Sequence, residues 1–386
     1  SSGDRVAKLM PPMILGNTAT ISECLSLDEE NTSGYSKEFY SASEELRKQY
    51  KNDEEAKQII DIALGLEGLR RQDGIHAAAI VISPDTITKF LPIQQKGSNA
   101  EIVTQYEMHT VEQLGLLKMD FLGLRNLSIV DRTLELIGSE SLDIDNLKLD
   151  DEKTFKLFAE GKMTGVFQLE SRVAQSTSRS LKPKRFEDIV ALVALIRPGP
   201  LGAGMHNEFA DRANNRKEIE YLHSDLESIL NETYGVILYQ EQVMQIAEKI
   251  AGFNLQEADN LRVAMGKKIP KVMEEQRKKF TDGAVSNNYS EQFAIELFDQ
   301  IAYFAGYGFN KSHSVPYALL AYQTAYLKAN YPAEYIAACL TAVKRDKDRT
   351  AIFLSEARDM GVKVSTPDVN LSSSDFTVND NEILFG

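Results

Sequence analysis

Tryptophan is absent from this chain of 386 residues, and cysteine occurs only as Cys24 and Cys339. Two thiols so distant in sequence cannot form a metal cluster by themselves, so they read as reduced, buried groups and favour the cytoplasm. No apolar run approaches the roughly 18 residues of a membrane span, and no basic-then-apolar secretory signal opens the chain. Net positive charge is missing as well: 43 Lys and Arg stand against 57 Asp and Glu, a formal charge of -14. That balance argues against a uniformly basic nucleic-acid coat. There is no internal repeat and no low-complexity segment. Nor is there an initiator Met. The chain opens Ser1, Ser2, Gly3 and closes on the apolar run Ile383, Leu384, Phe385 before Gly386, so we expect an excerpt of a longer protein.

With 43% apolar and 26% charged residues, a chain of this length predicts a soluble globular protein of two or three domains. Charge is unevenly spread. Acids gather between 23 and 56, including Glu23, Asp28, Glu29, Glu30, Glu44 and Glu45. Arg172, Arg179, Lys182, Lys184 and Arg185 form one basic stretch, and Arg262, Lys267, Lys268, Lys271, Arg277, Lys278 and Lys279 form another. Such stretches are either solvated helix faces or phosphate contacts.

Residues 1 to 72 are polar, with one clear helix near 53 to 70 whose apolar face is Ile59, Ile60, Ile62, Ala63, Leu64 and Leu66. Strand-like runs follow at 77 to 83, 101 to 106 and 115 to 122. From about 126 the pattern turns helical. One helix begins at Asp150 or Asp151 and closes at Gly161; another carries Val243, Ile246, Ala247 and Ile250 and ends at Gly252. A third runs from Leu255 to Met265 and stops at Gly266, and a long one follows Tyr317 to about Asn330. After 362 strands return around the turn-forming Asn379, Asp380 and Asn381.

The most informative stretch is GLLKMDFLGLRN at 115 to 126. Alternation puts Leu117, Met119 and Phe121 on one face of what reads as a buried strand, and Lys118 with Asp120 on the other. Buried charges are costly unless paired or bound to an ion. The two residues are therefore either a salt bridge at a strand end or part of a metal or phosphate site.

FAGYGFNKSH at 304 to 313 combines Gly306 and Gly308 with Asn310, Lys311 and His313, donors suited to a phosphate or a base. It fails as a P-loop, because Asn310 and Ala305 stand where that loop needs glycines. A structural glycine loop is the plain alternative. LRVAMGKK at 261 to 268 places Arg262 inside a helix and Lys267 and Lys268 past its glycine cap, where lysines ordinarily offset the helix dipole. RPGPL at 197 to 201 is a rigid turn that fixes Arg197, which equally reads as a capping residue. GVFQLESR at 165 to 172 and YGVILYQEQVMQIA at 234 to 247 supply Gln168, Glu170, Tyr239, Gln240, Glu241 and Gln242, groups more often used for capping and packing than for a site. Asp143 and Asp145 have the spacing of a two-carboxylate metal site, and also that of acids at a helix N-terminus.

In this order the segments resemble the alpha subunits of bacterial DNA polymerase III, the C-family replicative polymerases. The likeness extends through DRVAKLMPP at 4 to 12, GIHAAAIVIS at 74 to 83, LLKMDFLGLRNLSIVD at 116 to 131 and ALVALIRPGPL at 191 to 201. It continues through ADNLRVAMGKK at 258 to 268, YQTAYLKANYPAEY at 322 to 335 and PDVN at 367 to 370.

The resemblance implies an α+β, mainly helical fold: a partial nucleotidyltransferase palm related to polymerase beta, with a large helical fingers domain. It assigns 1 to 72 to the end of the thumb, 73 to 125 to the last part of the palm and 126 to 345 to the fingers. Residues 346 to 386 would start the region leading to the helix-hairpin-helix and clamp-binding part. The implied reaction joins a primer 3'-hydroxyl to the alpha phosphate of a dNTP, using two Mg2+ ions held by three palm aspartates. Asp120 matches the third of these, and Lys118 matches a lysine that meets phosphate charge. Arg262, Lys311 and His313 match fingers positions near the triphosphate, while Asn310, Gln168, Arg197, Tyr239 and Gln240 belong to matched motifs. Implied partners are primer-template DNA, dNTP, a sliding clamp and other replisome subunits, with no membrane.

The family's first two catalytic aspartates lie upstream of the position matched by Asp4, so this chain alone is expected to be inactive. Departures occur at Val263, where a second arginine is common, at Val173 and Ala174, where Gly-Met is common, and at Ala79, where glycine is common. The alternative is a non-catalytic DNA-binding or replisome-assembly module.

Overall fold

The computed structural model describes residues 2–12, 18–26, 36–69, 74–95, 97, 100–138, 142–267, 270–305 and 308–386. Asp28, Glu29, Glu30, Lys268 and Gly306, singled out above, lie outside the described residues, as do the side chains of Lys267 and Lys271. The fold is α+β and mainly helical. It divides into two compact units, one comprising Ser1–Pro12 and Thr18–Arg125, the other Asn126–Gly386.

The first unit opens with α1 (Ser2–Ala7), α2 (Ile21–Leu25), α3 (Ser36–Ala42), α4 (Glu44–Asn52) and α5 (Glu54–Leu66). The sequence suggested a single helix here, because the others are too short for a periodic signal and are set by local caps. Thr20, for example, exchanges hydrogen bonds with Glu23 in a capping box that starts α2. Asp53 starts α5 by accepting the N–H groups of Glu55 and Ala56. Val6, Cys24, Leu46, Ala56 and Ile60 form the core of this part. Ile62 and Leu66 are exposed, so the apolar face expected for α5 is narrower than its composition suggests.

β1 (Ala79–Ile82), β2 (Ile93–Gln95), β3 (Ile102–Thr104), α6 (Met108–Gln113) and β4 (Leu117–Asp120) complete the unit. β1 pairs antiparallel with β4, and β2 with β3. The register sets Ala79 opposite Asp120 and Val81 opposite Lys118. Val81 packs against a small core of Leu91, Val111 and Leu116. The reading of 115 to 122 as a buried strand is thereby corrected. Leu117, Met119 and Phe121 are 54%, 40% and 59% exposed, and Ile80 and Ile82 on the partner strand are exposed too. The packed face is the one that carries Lys118 and Asp120, because a sheet of only two strands receives cover on one side.

The second unit runs through α7 (Arg125–Ile137), α8 (Glu152–Glu160), α9 (Arg172–Leu181), α10 (Phe186–Leu195), α11 (Pro198–Gly202), α12 (Met205–Ala213) and α13 (Glu227–Leu230). It continues with α14 (Gln240–Ala251), α15 (Leu255–Lys267), α16 (Pro270–Ser286), α17 (Glu291–Ala305), α18 (Lys311–Asn330), α19 (Pro332–Val343) and α20 (Lys347–Asp359). α10 is buried at every position from Asp188 to Leu195 and packs on α18 at the centre of the main core. A second core joins α19 and α20 to β5 (Lys363–Ser365), β6 (Thr377–Asn379) and β7 (Glu382–Leu384). β7 lies between β5, parallel, and β6, antiparallel.

Local chemistry explains most boundaries. Asp151 caps α8, and Gly161 and Gly252 end α8 and α14 in the left-handed conformation that glycine adopts freely. α15 runs on through Gly266 instead of stopping there, since glycine inside a helix costs only about 1 kcal/mol. RPGPL is more than a turn: Pro198 takes the first position of the short α11. α18 starts at Lys311, well before Tyr317, and carries Pro316 in its second turn. The proline there forgoes one backbone bond, to the Ser312 carbonyl. Both cysteines are free and buried. No described helix is long and apolar enough to cross a membrane.

Candidate functional site

In the first unit the Lys118 ammonium lies 2.7 and 2.9 Å from the two oxygens of Asp120. The Lys118 side chain is 16% exposed and that of Asp120 42%. The lysine thus reaches the carboxylate from a largely covered position and leaves part of it open to solvent. The hydrogen bond from Lys118, and after it the nearby positive charge, holds the Asp120 carboxyl below the usual aspartate range. His76 Nδ1 stands 3.9 Å from the same carboxylate and accepts the Ala78 N–H at 3.2 Å. Among the described residues no group of three or more His, Cys, Asp or Glu is arranged to hold a metal ion. Asp143 serves as a cap: its carboxylate accepts the Asp145 N–H at 3.2 Å and the Asn146 side-chain amide at 2.7 Å.

In the second unit, backbone bonds bring two distant motifs together. Phe309 N–H donates to Leu238 O at 3.2 Å, and Gln240 N–H donates to Phe309 O at 2.9 Å. The Gln240 side chain adds a bond to Gly308 O at 3.3 Å. The Glu241 carboxylate accepts the N–H groups of Lys311 and Ser312, and Asn310 Oδ1 accepts that of His313 at 3.0 Å. These acceptors fill the N-terminus of α18, which is why the helix begins at Lys311.

The side chains at that junction form a chain of rings and cations. Arg197 lies over the Phe309 ring at 4.2 Å and donates through Nε to Ala194 O at 3.2 Å, closing the end of α10. Burial pushes its guanidinium pKa down. Phe309 meets His313 at 5.6 Å, His313 meets Tyr317 at 4.4 Å, and Tyr317 meets Phe167 at 5.5 Å. Gln168 follows Phe167 with φ at +59°. Lys311 Nζ is 2.7 Å from the Glu232 carboxylate and 5.6 Å from the Tyr239 ring centre. Tyr239 is buried, and burial pushes its hydroxyl well above the ordinary tyrosine value.

Arg197, Tyr239, Gln240, Asn310, Lys311 and His313 therefore come together, and Gln168 joins them through its neighbour Phe167. Arg262 is not joined to this cluster by any described side-chain contact; it pairs with Asp259 of its own helix at 2.8 Å. Sequence reasoning missed Glu232 as the partner of Lys311, 79 residues away, and Phe309 and Tyr317 as ring platforms. It read Glu241 among groups used for capping and packing, without identifying the start of α18 as what it caps. The cluster offers guanidinium, ammonium and imidazole donors beside aromatic faces, chemistry suited to an anionic ligand with a planar part.

The first unit thus holds a strand-end carboxylate with its lysine, and the second holds cations on a helical scaffold, in a protein of mixed, mainly helical build. Comparison with known proteins gives the family. Residues 6–123 match the model of the bacterial DNA polymerase III alpha NTPase domain, and residues 126–288 match that of the bacterial DNA polymerase III alpha subunit finger domain. The chain is 42% identical over 390 residues to DNA polymerase III subunit alpha of Mycobacterium tuberculosis, 47% over 365 residues to that of Buchnera aphidicola and 44% over 396 residues to that of Escherichia coli. These alignments take in 99%, 91% and 99% of this chain and 32%, 31% and 33% of the relatives. The chain thus spans about a third of the length of the curated relatives it matches. Matched by two models over more than half its length, the chain belongs to the bacterial DNA polymerase III alpha family.

Proposed function

We propose that this chain is a core segment of a replicative DNA polymerase, which transfers a nucleotidyl group from a dNTP to a primer 3'-hydroxyl on a DNA template. The observation that carries the reading is Asp120: it ends a strand inside a family-matched stretch, is held ionised by Lys118, and keeps an open side. In this reading Asp120 is a metal ligand and Lys118 orients it and meets phosphate charge. Arg197, Lys311 and His313 offset the charge of a bound triphosphate, with Asn310, Gln168, Tyr239 and Gln240 shaping the surface around them. Arg262 would add its charge once freed from Asp259. Lys311 must likewise exchange Glu232 for phosphate, an exchange that a triphosphate favours by its greater charge.

Magnesium enters through Asp120 alone. Among the described residues no group of three or more His, Cys, Asp or Glu is arranged to hold the metal; on the family resemblance the other two aspartates come from a palm motif upstream of Asp4. The chain by itself is inactive on this reading. We assign 1 to 72 to the end of the thumb, 73 to 125 to the last part of the palm, 126 to 345 to the fingers, and 346 to 386 to the start of the clamp-proximal region. The compact division after Arg125 and the separate family models on either side support the boundary between 125 and 126. Primer-template DNA, a sliding clamp and other replisome subunits are its partners, in the cytoplasm.

The test is magnesium-dependent primer extension by the chain alone and mixed with a family palm segment carrying the other two aspartates, each with and without Asp120→Asn. Extension only in the mixture, lost with Asp120→Asn, is the expected result. Extension that survives Asp120→Asn would remove Asp120 from the chemistry. No extension from a mixture shown to assemble would favour a non-catalytic DNA-binding or assembly module.

A further inference from the structure

The Lys311 ammonium is engaged at 2.7 Å by the Glu232 carboxylate. Among the described residues it has no other ion-pair partner. The two side chains are 35% and 31% exposed, so their attraction is screened less than that of a pair on the open surface.

Both ends of the pair are fixed by their backbones. The Lys311 N–H donates to the Glu241 carboxylate at the start of α18. Glu232 lies in the short turn Asn231–Thr233, between α13 and α14, and side chains tie that turn down around it. Arg185 Nη2 donates to Glu232 O at 2.7 Å, while Arg185 Nε donates to the buried Asp188 carboxylate at 3.2 Å. The Tyr234 hydroxyl donates to the same Asp188 oxygen at 2.8 Å. On the other side the Thr233 hydroxyl donates to Val236 O at 2.6 Å and accepts the Gln242 amide at 2.8 Å. The turn is therefore held by groups other than Lys311, and its carboxylate is aimed at the lysine without needing the ion pair for its own shape.

That carboxylate stands where phosphate oxygens would have to come. After burial, the charges of Glu232, Glu241 and Asp188 are what push the Tyr239 hydroxyl up, and the Tyr239 ring centre is 5.6 Å from the Lys311 ammonium. Negative potential thus reaches the surroundings of the lysine and opposes a polyanion there.

We propose that Glu232 sets the affinity of this cluster for a triphosphate, by occupying Lys311 until phosphate oxygens displace it. The proposal rests on the reading of Lys311 as a triphosphate contact. Glu232 is then a positioning residue, which acts through Lys311. A site that is competent only in a minor fraction of molecules binds more weakly by that fraction, and an ion pair closed most of the time weakens binding by about fivefold.

The experiment titrates the chain with tripolyphosphate and with dATP by calorimetry, and compares Glu232→Gln, Glu232→Ala, Lys311→Met and the double variant Glu232→Gln with Lys311→Met. Both Glu232 variants should tighten both ligands by about fivefold, and Lys311→Met should weaken them by about tenfold. In the Lys311→Met background the gain from Glu232→Gln should fall below about twofold, since there is no lysine left to release. Loss of structure weakens binding, so tightening separates the release of Lys311 from damage to the turn. Unchanged or weaker binding in both Glu232 variants, or an equal gain in both backgrounds, overturns the proposal while a weakened Lys311→Met leaves Lys311 as a triphosphate contact. Unchanged binding in Lys311→Met, or no binding of either ligand, overturns that reading of Lys311 and the proposal with it.

Discussion

The Glu241 carboxylate accepts the backbone N–H of Lys311 through both oxygens, at 3.0 and 2.9 Å, across 70 residues of sequence. A charge placed on the unpaired N–H groups of a helix start stabilises it by roughly 1–2 kcal/mol. Glu241→Ala should lower the urea unfolding free energy by about that amount, and Glu241→Gln, which keeps one acceptor, by less. Equal stability of all three forms would show that another group starts α18.

Lys118→Met should let the Asp120 carboxyl return toward the ordinary aspartate range, because the hydrogen bond from Lys118 is the main cause of its lowered value. The sign for stability follows. With the folded value below the unfolded one, the contribution is present above the ordinary aspartate pKa and disappears as pH falls through the lowered value. Carboxyl-detected NMR titration of Asp120 in both forms checks this; identical midpoints would remove Lys118 as the cause.

Neighbouring leucines provide a test of the exposed sheet face. Leu116 is 6% exposed inside the small core with Val81, Leu91 and Val111, whereas Leu117 is 54% exposed on the bare face. Leu116→Ala should cost about 2–5 kcal/mol in the stability of the first unit, while Leu117→Ser should stay within about 0.5 kcal/mol. Thermal or urea unfolding of the two variants measures the contrast, and a reversed order would mean that the opposite face of β4 is packed.

Gly283 marks a close helix approach in the second unit. A Cβ built on it would stand 2.2 Å from the Ala251 carbonyl oxygen, so α16 passes the end of α14 at a distance only glycine permits. Gly283→Ala replaces a poor helix former with the best one, yet it should destabilise the protein by about 1–3 kcal/mol, because overpacking outweighs the propensity gain. A melting temperature equal to or above that of the parent would refute the close approach.

Features decided within a few residues were legible in the sequence. Asp151 and Gly161 bound α8 because a carboxylate caps N–H groups and glycine accepts positive φ. The strands around Asn379, Asp380 and Asn381 follow from turn chemistry in the same way, and Asp380 and Asn381 do adopt positive φ. Alternation put Lys118 and Asp120 on one face, and their ion pair has the geometry that placement requires. Family membership was also readable, because the ordered motifs are a property of the sequence itself.

The tertiary structure decided what depends on distant partners. Alternation tells which side chains share a face of β4 but not which face will meet another layer, so Leu117, Met119 and Phe121 read as core and lie in solvent. The start of α18 was hidden because Glu241 supplies its cap from another helix, and Lys311 finds its counter-ion in Glu232, 79 residues away. Local propensity and period act over one turn or one strand, whereas burial, charge pairing and cavities arise from contacts that only a folded chain brings into range.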